Sequence, residues 1–181
     1  KIFIYAGNMG TAQGINVLFQ LALSLKARKD IGFVFVGRGS EMLKFKNDSK
    51  FACLENVIFF DQIHADEIPS LYKQCDVGML SLDIRHKYHN IPGKFLSYIA
   101  SGLPVLASVN PGNDIVSLIN NTTIGRVITD GRVDSLINAT NELIRIIDDE
   151  AINTSKACIK LNDELFKPDK AANQIVAGLK N

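Results

Sequence analysis

A basic loop near the middle of the chain carries the residues best suited to chemistry. Residues 83–94 read DIRHKYHNIPGK, with three fixed cations and two histidines in the last ten positions. Pro92 suits the first position of a helix, so Lys94 falls in a first turn, where the helix dipole disfavours a cation by about 0.3–1 kcal/mol. An anion held between Lys94 and the amides next to Gly93 would remove this conflict. The loop therefore predicts a phosphate site that includes Arg85, and a solvated basic loop is the alternative.

The two histidines of this loop, His86 and His89, also raise the question of a metal. Two imidazoles are a poor set for zinc, which takes three or four protein ligands. No Asp-x-Asp pair lies near the loop to hold magnesium or manganese. We therefore expect no metal cofactor.

Two glycine-rich turns are further candidates for anion contacts. Gly7-Asn8-Met9-Gly10 and Gly37-Arg38-Gly39 each follow an apolar run. Glycine-rich turns that lead into helices leave backbone amides open to phosphate. The spacing of the first turn differs from Gly-x-Gly-x-x-Gly, which argues against a dinucleotide dehydrogenase. Plain strand-to-helix turns are the alternative at both places.

The elements that must position these loops follow from hydrophobic patterning. Short runs that are apolar on both faces alternate with helical stripes, which is typical of a parallel sheet covered on both sides. Right-handed crossovers then predict a Rossmann-like α/β fold, a doubly wound parallel sheet of about six strands. With strand order 3-2-1-4-5-6, the first loop and the basic loop would meet at the switch point. The predicted strands are 2–6, 33–36, 57–60, 77–80, 104–107 and 126–128. The predicted helices are 15–28, 40–53 (capped by Ser40), 68–72, 92–101, 115–119, 133–147 and two in 150–181, broken near Pro168.

Composition sets the class of protein. The chain has 181 residues and a formal net charge of +1, so it has no overall attraction to nucleic acid. Three widely spaced cysteines exclude a disulfide framework and favour a reducing compartment. One of them, Cys75, falls in the fourth strand signal, where we expect it in the core. Because Lys1 leads directly into a strand, we expect a piece of a longer, two-domain protein.

Several motifs together resemble a known family. Asn90-x-Pro92-x-Lys94 is followed by Ala-Ser-Gly-Leu-Pro-Val-Leu-Ala at 100–107. Tyr-Ala-Gly-Asn at 5–8, Phe-Val-Gly-x-Gly at 35–39 and Tyr-x-x-x-Asp-Val at 72–77 add to the pattern. Over residues 1–147 the chain resembles the C-terminal, nucleotide-sugar-binding half of GT-B glycosyltransferases, specifically the family 4 retaining enzymes.

Two departures from that family change the expected site. The family's Glu-x7-Glu pair matches His89 and Ser97 here, and its first-loop arginine and lysine match Asn8 and Gln13. This variant pattern resembles a subgroup that builds bacterial surface polysaccharides such as the O-antigen of lipopolysaccharide. Because the first loop lacks cations, the cluster from Arg85 to Lys94 becomes the better candidate for holding phosphate.

The resemblance implies a function for the whole chain. Residues 1–181 would be one donor-binding domain, half of a GT-B fold, with helices over about 150–181 packing back toward an N-terminal domain. The activity would be metal-independent, retaining hexosyl transfer from a UDP-sugar to a growing glycan or lipid-linked acceptor, and this chain alone would be inactive. Lys94 and Arg85 would be catalytic, stabilising charge on the leaving diphosphate. The donor would also contact Gly7, Asn8, Gly10, Gln13, Arg38, Gln62, Ile63, His89, Asn90, Pro92, Gly93 and Ser97.

The same resemblance implies partners and a cellular location. We expect no nucleic-acid partner, a cytoplasmic protein, and peripheral contact at the inner face of the membrane where the acceptor is lipid-linked. Three alternatives stay open. A GT-B sugar-nucleotide epimerase half would need carboxylates in the cleft, and the stretch from 84 to 94 has none. A receiver domain would need acids after the first strand, where the turn at 7–10 supplies none. A plain ligand-binding module would bind no sugar nucleotide.

Overall fold

A six-stranded parallel sheet organises the chain. The computed structural model describes residues 1–85, 87 and 89–167. The strand order is β3-β2-β1-β4-β5-β6, and every neighbouring pair is parallel. The predicted fold class and strand order are therefore confirmed, and the order reverses between β1 and β4. The strands are β1 Ile2–Ala6, β2 Gly32–Val36, β3 Val57–Phe60, β4 Val77–Ser81, β5 Val105–Ser108 and β6 Gly125–Ile128.

Helices cover both faces of this sheet. Single 3-10 turns at Thr11–Gln13 and Ala65–Glu67 complete the connections. None of the helices in the described ranges is long and apolar enough to cross a membrane. The helices are α1 Asn16–Ser24, α2 Ser40–Asn47, α3 Ser49–Ala52, α4 Ile68–Tyr72, α5 Gly93–Ala100, α6 Asp114–Asn120, α7 Val133–Asp148 and α8 Thr154–Leu165.

Two hydrophobic cores lie on opposite faces because successive strand residues alternate in direction. On one face Phe3 and Phe33 pack with α1, α2 and α7, and both side chains are at most 1% exposed. On the other face Ile4 and Val105, both 0% exposed, pack with α5, α6 and α8. The strands therefore have no solvent-facing side near β1 and β4, which leaves their carboxyl ends as the place for a site.

Several local predictions were wrong in detail. The predicted helix 40–53 breaks at Asp48, whose carboxylate accepts a hydrogen bond from the amide of Lys50 and starts α3. The N-cap of α2 is Gly39, at φ +149°, rather than Ser40. Pro92 is the N-cap of α5 and lies just outside the helix, so Gly93 is the first helical residue.

Two predictions near the ends of elements also need comment. Cys75 lies just before β4 rather than within it, half-buried, with its thiol 3.4 Å from the carbonyl of Leu71. The first tail helix is α8, which packs against α5. The break near Pro168 and the second tail helix lie outside the described residues, so the packing of a tail onto another domain stays a prediction.

Candidate functional site

The loops that follow β1 and β2 are joined through their backbones. The amide of Gly7 donates to the carbonyl of Val36, and the amide of Met9 donates to that of Arg38, both at 2.8 Å. Gly37 has φ +141°, and a Cβ atom there would collide with the carbonyl of Gly7. Only glycine fits this close approach. The paths of both loops are therefore set by backbone contacts.

These hydrogen bonds correct one prediction about the first loop. The amides of Gly7 and Met9 are already occupied, so they are not open to a phosphate. Within residues 1–85, 87 and 89–167, nothing accepts a hydrogen bond from the amides of Asn8 and Gly10. An anion in this loop would therefore be held by those two amides.

A cleft of about 340 Å³ opens between the first loop and the loops that follow β2 and β3. Five of the predicted donor-binding residues line it. Its position, at the carboxyl ends of the strands beside the reversal of strand order, is where open parallel sheets bind ligands. The five residues are Gly7, Asn8, Arg38, Gln62 and Ile63.

Lys94 reaches from the first turn of α5 over the end of β1. A Cβ atom on Gly7 would lie 2.8 Å from Lys94 Cε and 3.1 Å from its Nζ, so the lysine occupies the space beside the glycine. Its Nζ also lies 5.0 Å from the centroid of the Tyr5 ring, at cation–π distance. Because Gly7 lines the cleft, the Lys94 ammonium lies next to the cleft, and its role as a phosphate contact stays a prediction.

The electrostatic setting of Lys94 favours an incoming anion. Burial lowers the pKa of the Lys94 ammonium, and no carboxylate among the described residues offsets this shift. Among the described side chains, no carboxylate forms an ion pair with it. A partly desolvated cation at a helix N-terminus is destabilised by both burial and the helix dipole. A diphosphate would relieve both effects.

Arg85 has a protein partner. Its Nε donates to Asp83 Oδ1 at 2.9 Å, and its amide donates to the same oxygen at 3.0 Å. The Asp83 carboxylate raises the pKa of the guanidinium. The Asp83 side chain is 10% exposed, whereas that of Arg85 is 80% exposed. The second predicted phosphate cation is therefore already neutralised in this conformation, and its catalytic role stays a prediction.

A smaller notch of about 170 Å³ lies between the first loop and the segment that leads into α5. Gln13, Asn90 and Pro92, all predicted to bind the donor, line it with Ala12 and Leu82. The notch is close to the cleft because Asn8 Nδ2 lies 3.5 Å from Gln13 Oε1. A Cβ atom on Gly10 would contact the same two side chains. The site therefore has two compartments joined by the first loop.

His89 and Ser97, the positions that the resemblance matches to an acidic pair, are not among the residues that line the notch. His89 Nδ1 is 3.1 Å from the carbonyl of Gly112. Ser97 Oγ donates to the carbonyl of Gly93 at 3.1 Å, within its own helix. Both residues are exposed, so a ligand could still reach them. Neither position supplies a carboxylate.

His86, the other histidine of the loop, lies outside the described residues, so a pairing with His89 is untested. In the part of the chain that the structure describes, no three His, Cys, Asp or Glu side chains are grouped closely enough to hold a metal. The expectation of metal-independent binding stays a prediction.

A cleft of about 470 Å³ lies at the opposite end of the sheet, where the amino ends of β1 to β3 meet. Its cations are largely paired with acids, as in Lys29 with Glu55 at 3.0 Å and Arg28 with Asp30. Ligands of open parallel sheets bind at the carboxyl ends. We therefore place the candidate site at the smaller cleft beside Lys94.

Sequence reasoning missed two residues that shape this site. Asp83 holds the Arg85 amide and guanidinium through hydrogen bonds. The sequence pattern that could have indicated this is an aspartate just after a strand and two residues before the arginine, which favours an Asx turn. Tyr98, 0% exposed, holds α5 against the strands. It looked like one more apolar residue of a helical stripe.

Comparison with known proteins gives the family. Residues 1–145 match the family model "Glycosyl transferases group 1". The probable glycosyltransferase WbjE of Pseudomonas aeruginosa is 26% identical over 125 residues, which are 69% of this chain and 31% of WbjE.

Solved structures agree on the fold. WaaG, a glycosyltransferase involved in lipopolysaccharide biosynthesis, aligns with 97% of this chain and 46% of its own, with a TM-score of 0.70 and 19% identity. HepE of Anabaena, solved in complex with UDP-glucose, aligns with 99% of this chain and 48% of its own, with a TM-score of 0.76 and 16% identity. The chain spans about a third of WbjE and about half of these two structures. Its sheet has the fold of one half of a GT-B glycosyltransferase, and the chain belongs to the glycosyl transferases group 1 family.

Proposed function

We propose that this chain is the nucleotide-sugar-binding domain of a retaining, family 4 glycosyltransferase. The observation that carries the proposal is Lys94. Its ammonium lies beside the cleft and over Gly7, at the first turn of a helix. Burial lowers its pKa, and no carboxylate among the described residues offsets that shift. A cation kept in this setting is best explained by a ligand that brings negative charge. A nucleoside diphosphate is such a ligand.

The two compartments suit the parts of a sugar nucleotide. We assign the nucleoside to the 340 Å³ cleft, with its base near Gln62 and Ile63. The diphosphate would lie by Lys94 and the amides of Asn8 and Gly10. The sugar would occupy the 170 Å³ notch, where the amide side chains of Gln13 and Asn90 offer hydrogen bonds.

The proposed chemistry is stabilisation of the leaving diphosphate. As the bond to the sugar breaks, negative charge develops on the phosphate oxygen, and fixed cations and amides stabilise it. Lys94 would supply the first contact. Arg85 would contribute only if its guanidinium exchanged Asp83 for the ligand. We propose that no divalent metal takes part.

The finer identity of the reaction is also proposed. UDP is our first choice of nucleotide, supported by the UDP-glucose complex of HepE. A growing surface glycan such as O-antigen is our first choice of acceptor, supported by the likeness to WaaG, which is involved in lipopolysaccharide biosynthesis. The acceptor would bind through a second domain, in the cytoplasm and at the inner face of the membrane where it is lipid-linked.

Calorimetric titration tests this proposal. UDP, GDP, ADP, dTDP, uridine and UDP-glucose would each be titrated into the chain with EDTA present. We expect UDP and UDP-glucose to bind and uridine to bind more weakly, because only the diphosphates reach Lys94. Equal affinity for uridine and UDP would place the anion site elsewhere. No binding of any nucleoside diphosphate would overturn the proposal and favour a receiver or another ligand-binding module.

A further inference from the structure

Tyr98 lies at the centre of the sheet, where the strand order reverses. The residue is 0% exposed. Its hydroxyl oxygen is 3.0 Å from the carbonyl of Met79, 3.4 Å from that of Ile4, and 3.3 Å from the amide of Ala6, which donates to it. One side-chain oxygen of α5 therefore binds the backbones of both β1 and β4.

The hydroxyl occupies the point where these two strands separate. β1 pairs with β2 at five positions but with β4 at only two, Phe3 with Val77 and Ile4 with Gly78. Beyond Gly78 the backbone groups that face the gap need another partner, since a buried backbone group without a hydrogen bond costs about 1–3 kcal/mol. Tyr98 supplies that partner.

The ring of Tyr98 fits a space that the sheet leaves for it. A Cβ atom on Gly78 would lie 2.5 Å from the ring, so the ring packs directly on the strand backbone. The Tyr72 ring packs against the Tyr98 ring at a tilt of 56°, with centroids 5.0 Å apart. Ring and hydroxyl together leave α5 little freedom to slide or rotate against the sheet.

Lys94 is four residues before Tyr98 on the same helix, so the two side chains lie on one face, one turn apart. A shift of α5 would move the Lys94 ammonium from its place over Gly7. We propose that Tyr98 is the positioning residue that holds Lys94 at the phosphate site, an inference that rests on the proposed function. The hydroxyl at the switch point thus determines where the cation lies.

The test is Tyr98→Phe, which keeps the ring and removes the hydroxyl. We expect affinity for UDP to fall about tenfold, the loss of one charge-assisted contact, while affinity for uridine stays unchanged. In a Lys94→Ala background, Tyr98→Phe should weaken UDP binding no further, because the two residues act as a unit. An additive loss, or an equal loss for UDP and uridine, would overturn the proposal.

A matched control separates positioning from stability. Thr140→Val removes another fully buried hydroxyl, which donates to the carbonyl of Leu136 within α7. We expect Thr140→Val to lower the melting temperature and to leave UDP affinity unchanged. If Tyr98→Phe does not fold, Gly78→Ala displaces the ring with the hydroxyl retained, and it should show the same UDP-selective loss. Unchanged UDP affinity in Tyr98→Phe, or in Gly78→Ala where that variant is used instead, would overturn the proposal.

A measurement without ligand keeps this inference distinct from the proposed function. The pKa of the Lys94 ammonium can be followed by NMR in lysine-labelled protein. We expect it to lie below its ordinary value in the unmodified chain and to move toward that value in Tyr98→Phe, because the side chain becomes more solvated. If UDP does not bind the unmodified chain, the proposed function fails, but the pKa comparison still tests the positioning role. A Lys94 pKa that is the same in the unmodified chain and in Tyr98→Phe would refute that role.

Discussion

Replacing Lys94 with alanine is the most direct perturbation of the candidate site. The structure places its ammonium beside the cleft, with Gly7 on one side and the Tyr5 ring 5.0 Å away. A charge-assisted hydrogen bond to a phosphate contributes about 1.5–3 kcal/mol. At about 1.4 kcal/mol per factor of ten, Lys94→Ala should weaken UDP binding about ten- to a hundredfold. Uridine affinity should not change.

The same substitution should leave the unliganded protein nearly as stable as before. Loss of the cation–π contact with Tyr5 costs about 0.5–1 kcal/mol. Removing a cation from a first helical turn raises the free energy of unfolding by about 0.3–1 kcal/mol, and the folded state no longer has to desolvate the charge. The net change should stay within about 1 kcal/mol, which for a chain of this size is about 2–4 °C in melting temperature.

Calorimetric titration of UDP and of uridine, with a thermal melt of each protein, checks both expectations. Leu43→Ala is a suitable control because Leu43 is 63% exposed on α2 and touches neither compartment. Unchanged UDP affinity in Lys94→Ala would refute the assignment of the anion site. Loss of the folded state would show that the lysine has a structural role instead.

Further substitutions and conditions test the same site from other directions. Gly7→Ala should weaken UDP binding because its Cβ displaces Lys94 Cε; the exposed Leu43→Ala should show no loss in the same UDP titration. Arg85→Ala should reduce UDP affinity less than Lys94→Ala does, since Asp83 already pairs the guanidinium; an equal loss by titration would contradict this. UDP affinity should be the same in EDTA and in manganese, and a large loss on chelation would reveal a missed metal site. Because burial lowers the pKa of Lys94, the unfolded chain binds more protons between the lowered and ordinary values. Stability in denaturant should therefore rise with pH across that window, and the Lys94 contribution to this rise should be missing from Lys94→Ala.

The sequence was sufficient for the sheet because each strand is a short apolar run between turn residues. Runs such as Phe33–Val36, which are apolar on both faces, are typical of a covered parallel sheet when they alternate with helical stripes. Right-handed crossovers then leave few strand orders. The position of Lys94 in a first helical turn also followed from Pro92 and Gly93.

Contacts between residues distant in sequence could not be predicted. The pairing of Arg85 with Asp83 depends on how the loop after β4 turns. The occupied amides of Gly7 and Met9 depend on how closely β2 approaches. Tyr98 could be recognised only after the separation of β1 and β4 was known, since a tyrosine in an apolar stripe otherwise packs like a phenylalanine.

The contact between Gly37 and the Gly7 carbonyl determines which residues of the site can be substituted without moving the turns after β1 and β2. Because that contact involves only main-chain atoms, the geometry of the turns does not depend on which polar groups they carry. We therefore expect that substitutions of the Asn8 side chain leave the path of the turns beside the cleft unchanged. The positive charge that Lys94 places beside the cleft comes from another element, α5, and does not depend on the side chains of these turns. The charge of the site can thus change through substitutions in a few side chains, with no remodelling of the turns themselves.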